Sequence, residues 1–325
     1  MDFSPTEAEN AVSRFLHFQR FITVENGGTS MCRTQAVEIT LFFNSLLGFA
    51  EVAQSMPELP EVETTRRGVA PFVEGNRVRG VTVRCQRLRR PVPKQLSEVL
   101  TGKVVQAVGR RAKYLLFEFE CGTLLMHLGM SGHLRVVPSD APPRPHDHLD
   151  LVFDGHCLRF HDPRRFGLVE WTREAPNDHP LLRNLGPEPL GAVFGGEWLH
   201  QQSRGRRVAV KSFIMDQKIV VGVGNIYANE ALFRAGIHPG RAAGRISLAR
   251  YRQLADAIRE VLTQAIAAGG TTLKDFTRSD GRPGYFSQSL AVYGRAGQPC
   301  LRCGTPIRQQ RQGQRSTWYC PRCQH

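Results

Sequence analysis

The chain has 325 residues, 41% of them apolar and 22% charged, which suits two or so folded domains and argues against wholesale disorder. Lys and Arg number 43 against 29 Asp and Glu, a formal charge of +14; residues 1–55 hold three basic and six acidic side chains, a net of −3, so the remainder carries 40 − 23 = +17. That surplus fits a polyanion, nucleic acid before an acidic membrane surface, and no run of ~18 apolar residues is present to span a bilayer.

The N-terminal 55 residues lack the basic n-region of a secretory signal, and their longest apolar stretch, residues 36–53, is interrupted by Glu38, Asn44 and Glu51. The expectation is an intracellular, cytoplasmic protein. MPELPEVE, at residues 56–63, reads like a chain start placed in the interior. A Met-Pro start lets the initiator be trimmed and exposes the proline as a free amine; within a chain Pro57 has none. LPEVETTRRGVA predicts a short helix, with Pro60 in its first turn, glutamates at its positive end, and Pro57 and Glu58 just ahead of it.

From Arg77 to Trp171 apolar and polar residues alternate. RVRGVTVRC, KYLLFEFECGTLLMHL and HLRVV read as strands, and Asp154-Gly155 within LDLVFDGHCLRFHD is a hairpin signal, so a sandwich or barrel is predicted. Lys113, in RRAKYLL, falls on a strand and faces away from Tyr114. His127, His146 and His148 each read either as phosphate donors or as satisfied structural histidines. HDPRRFG places Arg164, Arg165 and Phe166 at a strand end, where an exposed arginine beside an aromatic can wedge into a base stack, or where Phe166 is simply core.

Residues 176–192 are rich in Pro and Gly and read as a linker, after which the period becomes helical. NIYANEALFRAG (225–236) predicts a helix with Asn225 as N-cap and Gly236 as its stop. The VVGVG before it is no dinucleotide fingerprint, because the third glycine would fall at Tyr227. It reads either as a plain cap or as a turn offering backbone N–H groups to an anion such as a DNA phosphate. Residues 248–270 place Leu248, Tyr251, Leu254, Ala255, Ile258, Val261, Leu262 and Ile266 on one helix face, ending at Gly269.

Cys32, Cys85, Cys121 and Cys157 are scattered, whereas Cys300, Cys303, Cys320 and Cys323 form two Cys-x-x-Cys pairs sixteen residues apart. That spacing predicts a zinc ribbon: four thiolates around one structural Zn2+ in a closed site. The intervening RQQRQGQRSTWY predicts a hairpin turning at Gly313, with arginines suited to a phosphate.

Taken in order from Met56 to the C-terminus, MPELPEVETTRRG, RRAKYLLFE, HLGMSGHLR, HDHLDLVF, DPRRFG, LGPEPL, VVGVGNIYANEALFRAGIHP, GGTTLKDF, SDGRPGYF and the zinc ribbon resemble the bacterial formamidopyrimidine-DNA glycosylase family. The resemblance implies an α+β multidomain fold. Its parts are an N-terminal β-sandwich with flanking helices over 57–185, a helical domain with a helix-two-turns-helix element over 190–295, and a C-terminal four-cysteine zinc-ribbon finger over 296–325. Residues 1–55 are then an extension outside the mature protein. The implied activity is base-excision repair: removal of oxidised purines, formamidopyrimidine and 8-oxoguanine, from damaged double-stranded DNA, then cleavage of the abasic site by β,δ-elimination. A monomer without a membrane partner is expected, cytoplasmic and on the nucleoid when bound to DNA.

Carried over residue by residue, the resemblance makes the amine of Pro57 the nucleophile that forms a Schiff base with the sugar, by the covalent logic of lysine amines. An α-amino group titrates near ~7.7–8.0 and so has a neutral fraction at physiological pH, whereas an amide nitrogen has its lone pair delocalised. Glu58 becomes the general acid/base, Lys113 serves the elimination, and Arg315 and Asn225 hold the lesion phosphate, with Arg315 assisting the second elimination. Met130, Arg164 and Phe166 fill the gap left by the flipped nucleotide; His146 and one of the pair Arg206 and Arg207 contact the DNA backbone. GGTTLKDFTRSDGRPGYF forms a lid. The rival readings are an endonuclease VIII-like glycosylase for oxidised pyrimidines, or a noncatalytic zinc-bearing DNA-binding protein if the extension is retained.

Overall fold

The computed structural model describes residues 56–270 and 289–325; the extension over 1–55 and the lid from residue 271 onward lie outside the described residues. The first helix, α1 (Leu59–Val73), is longer than its sequence signal, because Leu59, Val62, Val69 and Val73 keep one face buried for its whole length. Its start is fixed at Glu58, whose N–H donates to the carboxylate of Glu61 at 2.9 Å, three residues in.

Eight strands follow, in two antiparallel sheets: β1 (Gly80–Val83), β2 (Ala107–Arg111), β3 (Tyr114–Phe119), β4 (Gly122–His127), β5 (His133–Pro138), β6 (Asp147–Val152), β7 (His156–His161) and β8 (Leu168–Thr172). One sheet runs β1-β6-β7-β5 and the other β2-β3-β4-β8. The Asp154-Gly155 hairpin is where it was expected, with Gly155 at φ 75° and Leu151 opposite Leu158. A short helix, α2 (Leu96–Leu100), lies between β1 and β2.

Alternation decides the layers. Leu115, Phe117, Leu124 and Met126 share a core with Leu149, Leu151, Leu158 and Phe160 of the other sheet. Tyr114, Leu116 and Leu125 point the opposite way and are covered by Leu182. Burial on both faces explains why YLLFEF is almost continuously apolar.

Beyond the sandwich come α3 (Gly196–Ser203), α4 (Val210–Ile214), α5 (Asn225–Arg234) and α6 (Leu248–Ala267). Residues 215–224 make two turns between α4 and α5, the helix-two-turns-helix element. On α6 the expected face is buried from Tyr251 to Leu262 with Ala257 and Ala265 added, while Leu248 and Ile266, at the ends, are half-buried. Strands β9 (Arg308–Gln312) and β10 (Arg315–Tyr319) form the C-terminal hairpin. The buried carboxylate of Glu230 on α5 accepts the N–H groups of Ala291, Val292 and Tyr293 at 2.8, 3.0 and 2.8 Å, tying the approach to that hairpin onto the helical part. The fold is therefore α+β: a sandwich, a helical unit and a four-cysteine finger. No helix among the described residues is long and apolar enough to cross a membrane.

Candidate active site and metal centre

Pro57 and Glu58 are both buried at the start of α1. The Glu58 carboxylate reaches the start of α5, accepting from Gly224 N–H (2.7 Å) and Tyr227 N–H (3.4 Å) at Oε2 and from Ile226 N–H (2.9 Å) at Oε1. This corrects one expectation about VVGVGN. Gly224, not Asn225, is the N-cap, and Asn225 is the first helical residue, making no side-chain cap. The backbone N–H groups of Gly224, Ile226 and Tyr227 at this helix end are taken by the protein's own carboxylate. Both glycines serve the approach: Gly222 sits at φ 79° with Leu59 N–H donating to its carbonyl at 3.1 Å, and a Cβ on Gly224 would lie 2.3 Å from Glu58 Cδ.

Burial pushes Glu58 up from 4.5 to about 7, with Lys113 pulling it down, Glu61 pushing it up, and the Ile226 and Gly224 N–H groups pulling it down. Desolvation wins, so the carboxyl is poised between protonated and ionised near neutrality. Glu61 is itself buried and accepts the Tyr227 hydroxyl at 2.6 Å, a second tie between α1 and α5.

Lys113 is not on a strand, as its flanking residues had suggested. It occupies the β2–β3 turn, after Ala112 in the left-handed region at φ 55°. Polar contacts hold that turn: Glu188 Oε1 accepts from Ala112 N–H (2.7 Å) and Arg111 (3.1 Å), and Arg110 donates to Ala112 O (2.8 Å). Glu188 comes from LGPEPL, which thus has a local job. Lys113 is only 4% exposed; burial lowers its pKa, Glu58 opposes this, and Arg315 adds to it. Glu58, Lys113 and Arg315, from three remote segments, therefore share one electrostatic environment.

Lys211 on α4 was missed in the sequence. It is 2% exposed, and its Nζ donates to Ser316 O (2.9 Å) and Thr317 Oγ1 (2.7 Å), beside Arg315. Burial lowers it to about 7, the Arg315 guanidinium adds to this, and Glu58 opposes it. The available signal was a lysine embedded in apolar VAVKSFI, where a surface face should be polar.

The remaining candidates divide by burial. His127 is buried, its Nδ1 accepts from Gly129 N–H (2.9 Å), and burial holds it at about 4, a neutral structural histidine. His148 is buried and its Nε2 bonds Asp162 O at 2.7 Å. His146 is exposed at φ 73°, its ring 6.0 Å from that of His161. Phe166 is 46% exposed with the Arg164 guanidinium 5.4 Å from its ring centroid, which rules out the core reading. Asp162 accepts from Ser131 Oγ (2.8 Å) and Gly167 N–H (2.7 Å), joining the Arg164–Phe166 loop to the β4–β5 turn that carries Met130. Arg206 lies 5.7 Å from the Phe213 ring, and Arg207 is exposed beside it. Among the described contacts, none links His146 or Arg207 to the Glu58 cluster.

The four cysteine sulfurs of the finger lie within 4.8 Å of one another, with Cys300–Cys323 at 3.9 Å and Cys303–Cys320 at 3.5 Å. Tetrahedral Zn–S bonds of ~2.3 Å place sulfurs about 3.8 Å apart, whereas a disulfide needs about 2.05 Å. The donor set fits one structural Zn2+, held by Cys300, Cys303, Cys320 and Cys323.

Comparison with known proteins gives three family matches: the formamidopyrimidine-DNA glycosylase N-terminal domain over residues 56–169, the formamidopyrimidine-DNA glycosylase H2TH domain over 185–277, and a zinc finger found in FPG and IleRS over 297–325. The formamidopyrimidine-DNA glycosylase of Alkalilimnicola ehrlichii is 66% identical over 276 residues, covering 83% of this chain and 100% of the relative. That of Methylococcus capsulatus is 64% identical over 270 residues with the same coverage. Among solved structures, the MutM (FPG) protein of Thermus thermophilus superposes with a TM-score of 0.73 at 40% identity, covering 82% of this chain and 98% of that one. The Lactococcus lactis Fpg in complex with abasic-site DNA does so with a TM-score of 0.77 at 35% identity, covering 82% and 99%.

Proposed function

The chain belongs to the formamidopyrimidine-DNA glycosylase family, and on that premise we propose that it excises oxidised purines from damaged duplex DNA through the amine of Pro57. The observation that carries this reading is the buried Glu58 carboxyl next to Pro57, poised at about 7, with Lys113 in its field and Arg315 in that of Lys113.

The neutral amine attacks the sugar C1′ as the glycosidic bond breaks and the base leaves with its electron pair. Protonated Glu58 gives its proton to the sugar ring oxygen, the ring opens, and loss of the amine proton leaves an iminium. Elimination follows: Lys113, whose charged form burial disfavours, removes a proton next to the iminium carbon and expels one phosphate, and Arg315 supports departure of the second. Asn225 at the start of α5 contacts the same phosphate. Arg164, Phe166 and Met130 fill the vacated stack, while His146 and Arg207 steady the backbone. Cys300, Cys303, Cys320 and Cys323 would hold a Zn2+ that supplies the rigid fold of the finger carrying Arg315. The protein acts as a monomer in the cytoplasm, and the domain limits 57–185, 190–295 and 296–325 are part of this reading.

The mechanism requires a free amine at Pro57, so residues 1–56 must be absent from the active form. Mass spectrometry of the cell-derived protein reads its N-terminus, and borohydride trapping on duplexes with 8-oxoguanine or thymine glycol reads the chemistry and the lesion class. Active protein beginning at Pro57 with preference for 8-oxoguanine is expected. Full-rate cleavage by a chain that retains residues 1–55 would overturn it.

A further inference from the structure

We infer that Asn229 is the positioning residue that sets where the finger holds Arg315, an inference that rests on the reading of Arg315 given above. Among the described residues, strand β10 pairs with β9 along one edge only. The peptide groups on its other edge are met by side chains of the helical unit: Ser316 O accepts from Lys211, and Trp318 N–H donates to Asn229 Oδ1 at 3.0 Å. Asn229 is 1% exposed, and its Nδ2 donates to Asn225 O at 2.6 Å, so the amide is held at both ends. A carboxamide carries the donor and acceptor of a peptide group, and here it meets the outer edge of β10 as a neighbouring strand would.

The placement links three parts of the site. Asn225 and Asn229 are four residues apart on α5 and share a face. The same helix receives Glu58 at its first turn, and Arg315 lies three residues before Trp318, about 10 Å along an extended strand. One rigid helix thus spaces the acid, the helix-terminal asparagine and the finger arginine. A merely structural contact would stabilise the hairpin without setting the Arg315 position.

A double-mutant cycle separates the two, using the full chain and duplexes with or without a tetrahydrofuran abasic-site analogue, with zinc content checked in each variant. Arg315→Ala and Asn229→Leu are each expected to reduce preference for the analogue by about tenfold, and the double variant by no more than either alone. If Asn229→Leu does not fold with zinc bound, Asn229→Ser, which removes the reach without adding bulk, takes its place in the cycle. Additive losses, or unchanged preference in the Asn229 variant beside a clear Arg315→Ala defect, would overturn the inference alone. Unchanged preference in Arg315→Ala would remove the Arg315 reading and this inference with it.

Discussion

Glu58, immediately before α1, and Gly224, immediately before α5, are joined by a 2.7 Å hydrogen bond from the Gly224 N–H to the Glu58 carboxylate. One carboxyl therefore sits at the positive ends of two helices, one flanking the sandwich and one in the helical unit. Two helix starts and three N–H donors favour its ionised form, yet burial beside Glu61 still leaves it near 7. A group balanced in this way responds to small changes in its surroundings.

Gly224→Ala tests the fit. The backbone there is at φ −117°, open to alanine, but the new Cβ would lie 2.3 Å from Glu58 Cδ and displace the carboxylate. Base excision in single-turnover assays is expected to fall by about 100-fold or more, while binding to an abasic-site analogue changes little. Excision at the wild-type rate would dissociate the Glu58 pose from catalysis.

Glu58→Gln is expected to retain DNA binding and lose base excision. It also reports the raised pKa through stability. Because the folded value lies above the unfolded one, ionising Glu58 costs the folded state. Its contribution is intact below pH 4.5, declines as pH rises toward about 7, and is flat beyond. Thermal melts of wild type relative to Glu58→Gln should therefore drop across that window, by roughly 3 kcal/mol at most. A pH-independent difference would place the Glu58 value near that of a solvated carboxylate.

Lys211→Met removes the bonds to Ser316 O and Thr317 Oγ1 while keeping the bulk of the side chain. The stem stays packed, so loss of stability should be within about 2 kcal/mol, while affinity for lesion-containing duplex should fall about tenfold as Arg315 shifts. Fluorescence anisotropy and denaturant titration separate the two. A large stability loss with intact affinity would make Lys211 structural only.

Stripping zinc with a chelator should release the Cys300, Cys303, Cys320 and Cys323 cluster and weaken DNA binding by about 100-fold. The sandwich strands lie outside the finger and should persist, as read by far-ultraviolet circular dichroism. Loss of the β-sheet signal together with zinc would mean that the finger and the sandwich fold as one unit.

Periodicity and local chemistry alone determined much of this protein. Alternation marked the strands, Asp154-Gly155 marked a hairpin, a 3.6-residue period marked α6, and two Cys-x-x-Cys pairs marked the metal centre, because each signal is complete within a short stretch of chain. Only tertiary structure decided what occupies the start of α5, since Glu58 comes from 166 residues away and no local rule for caps can anticipate it. Lys113 moved from strand to turn because Glu188, 76 residues distant, holds Ala112 in a conformation its own sequence does not favour. The charge states of Glu58, Lys113 and Lys211 follow from burial, which the packing of sandwich, helices and finger sets together and no single segment encodes.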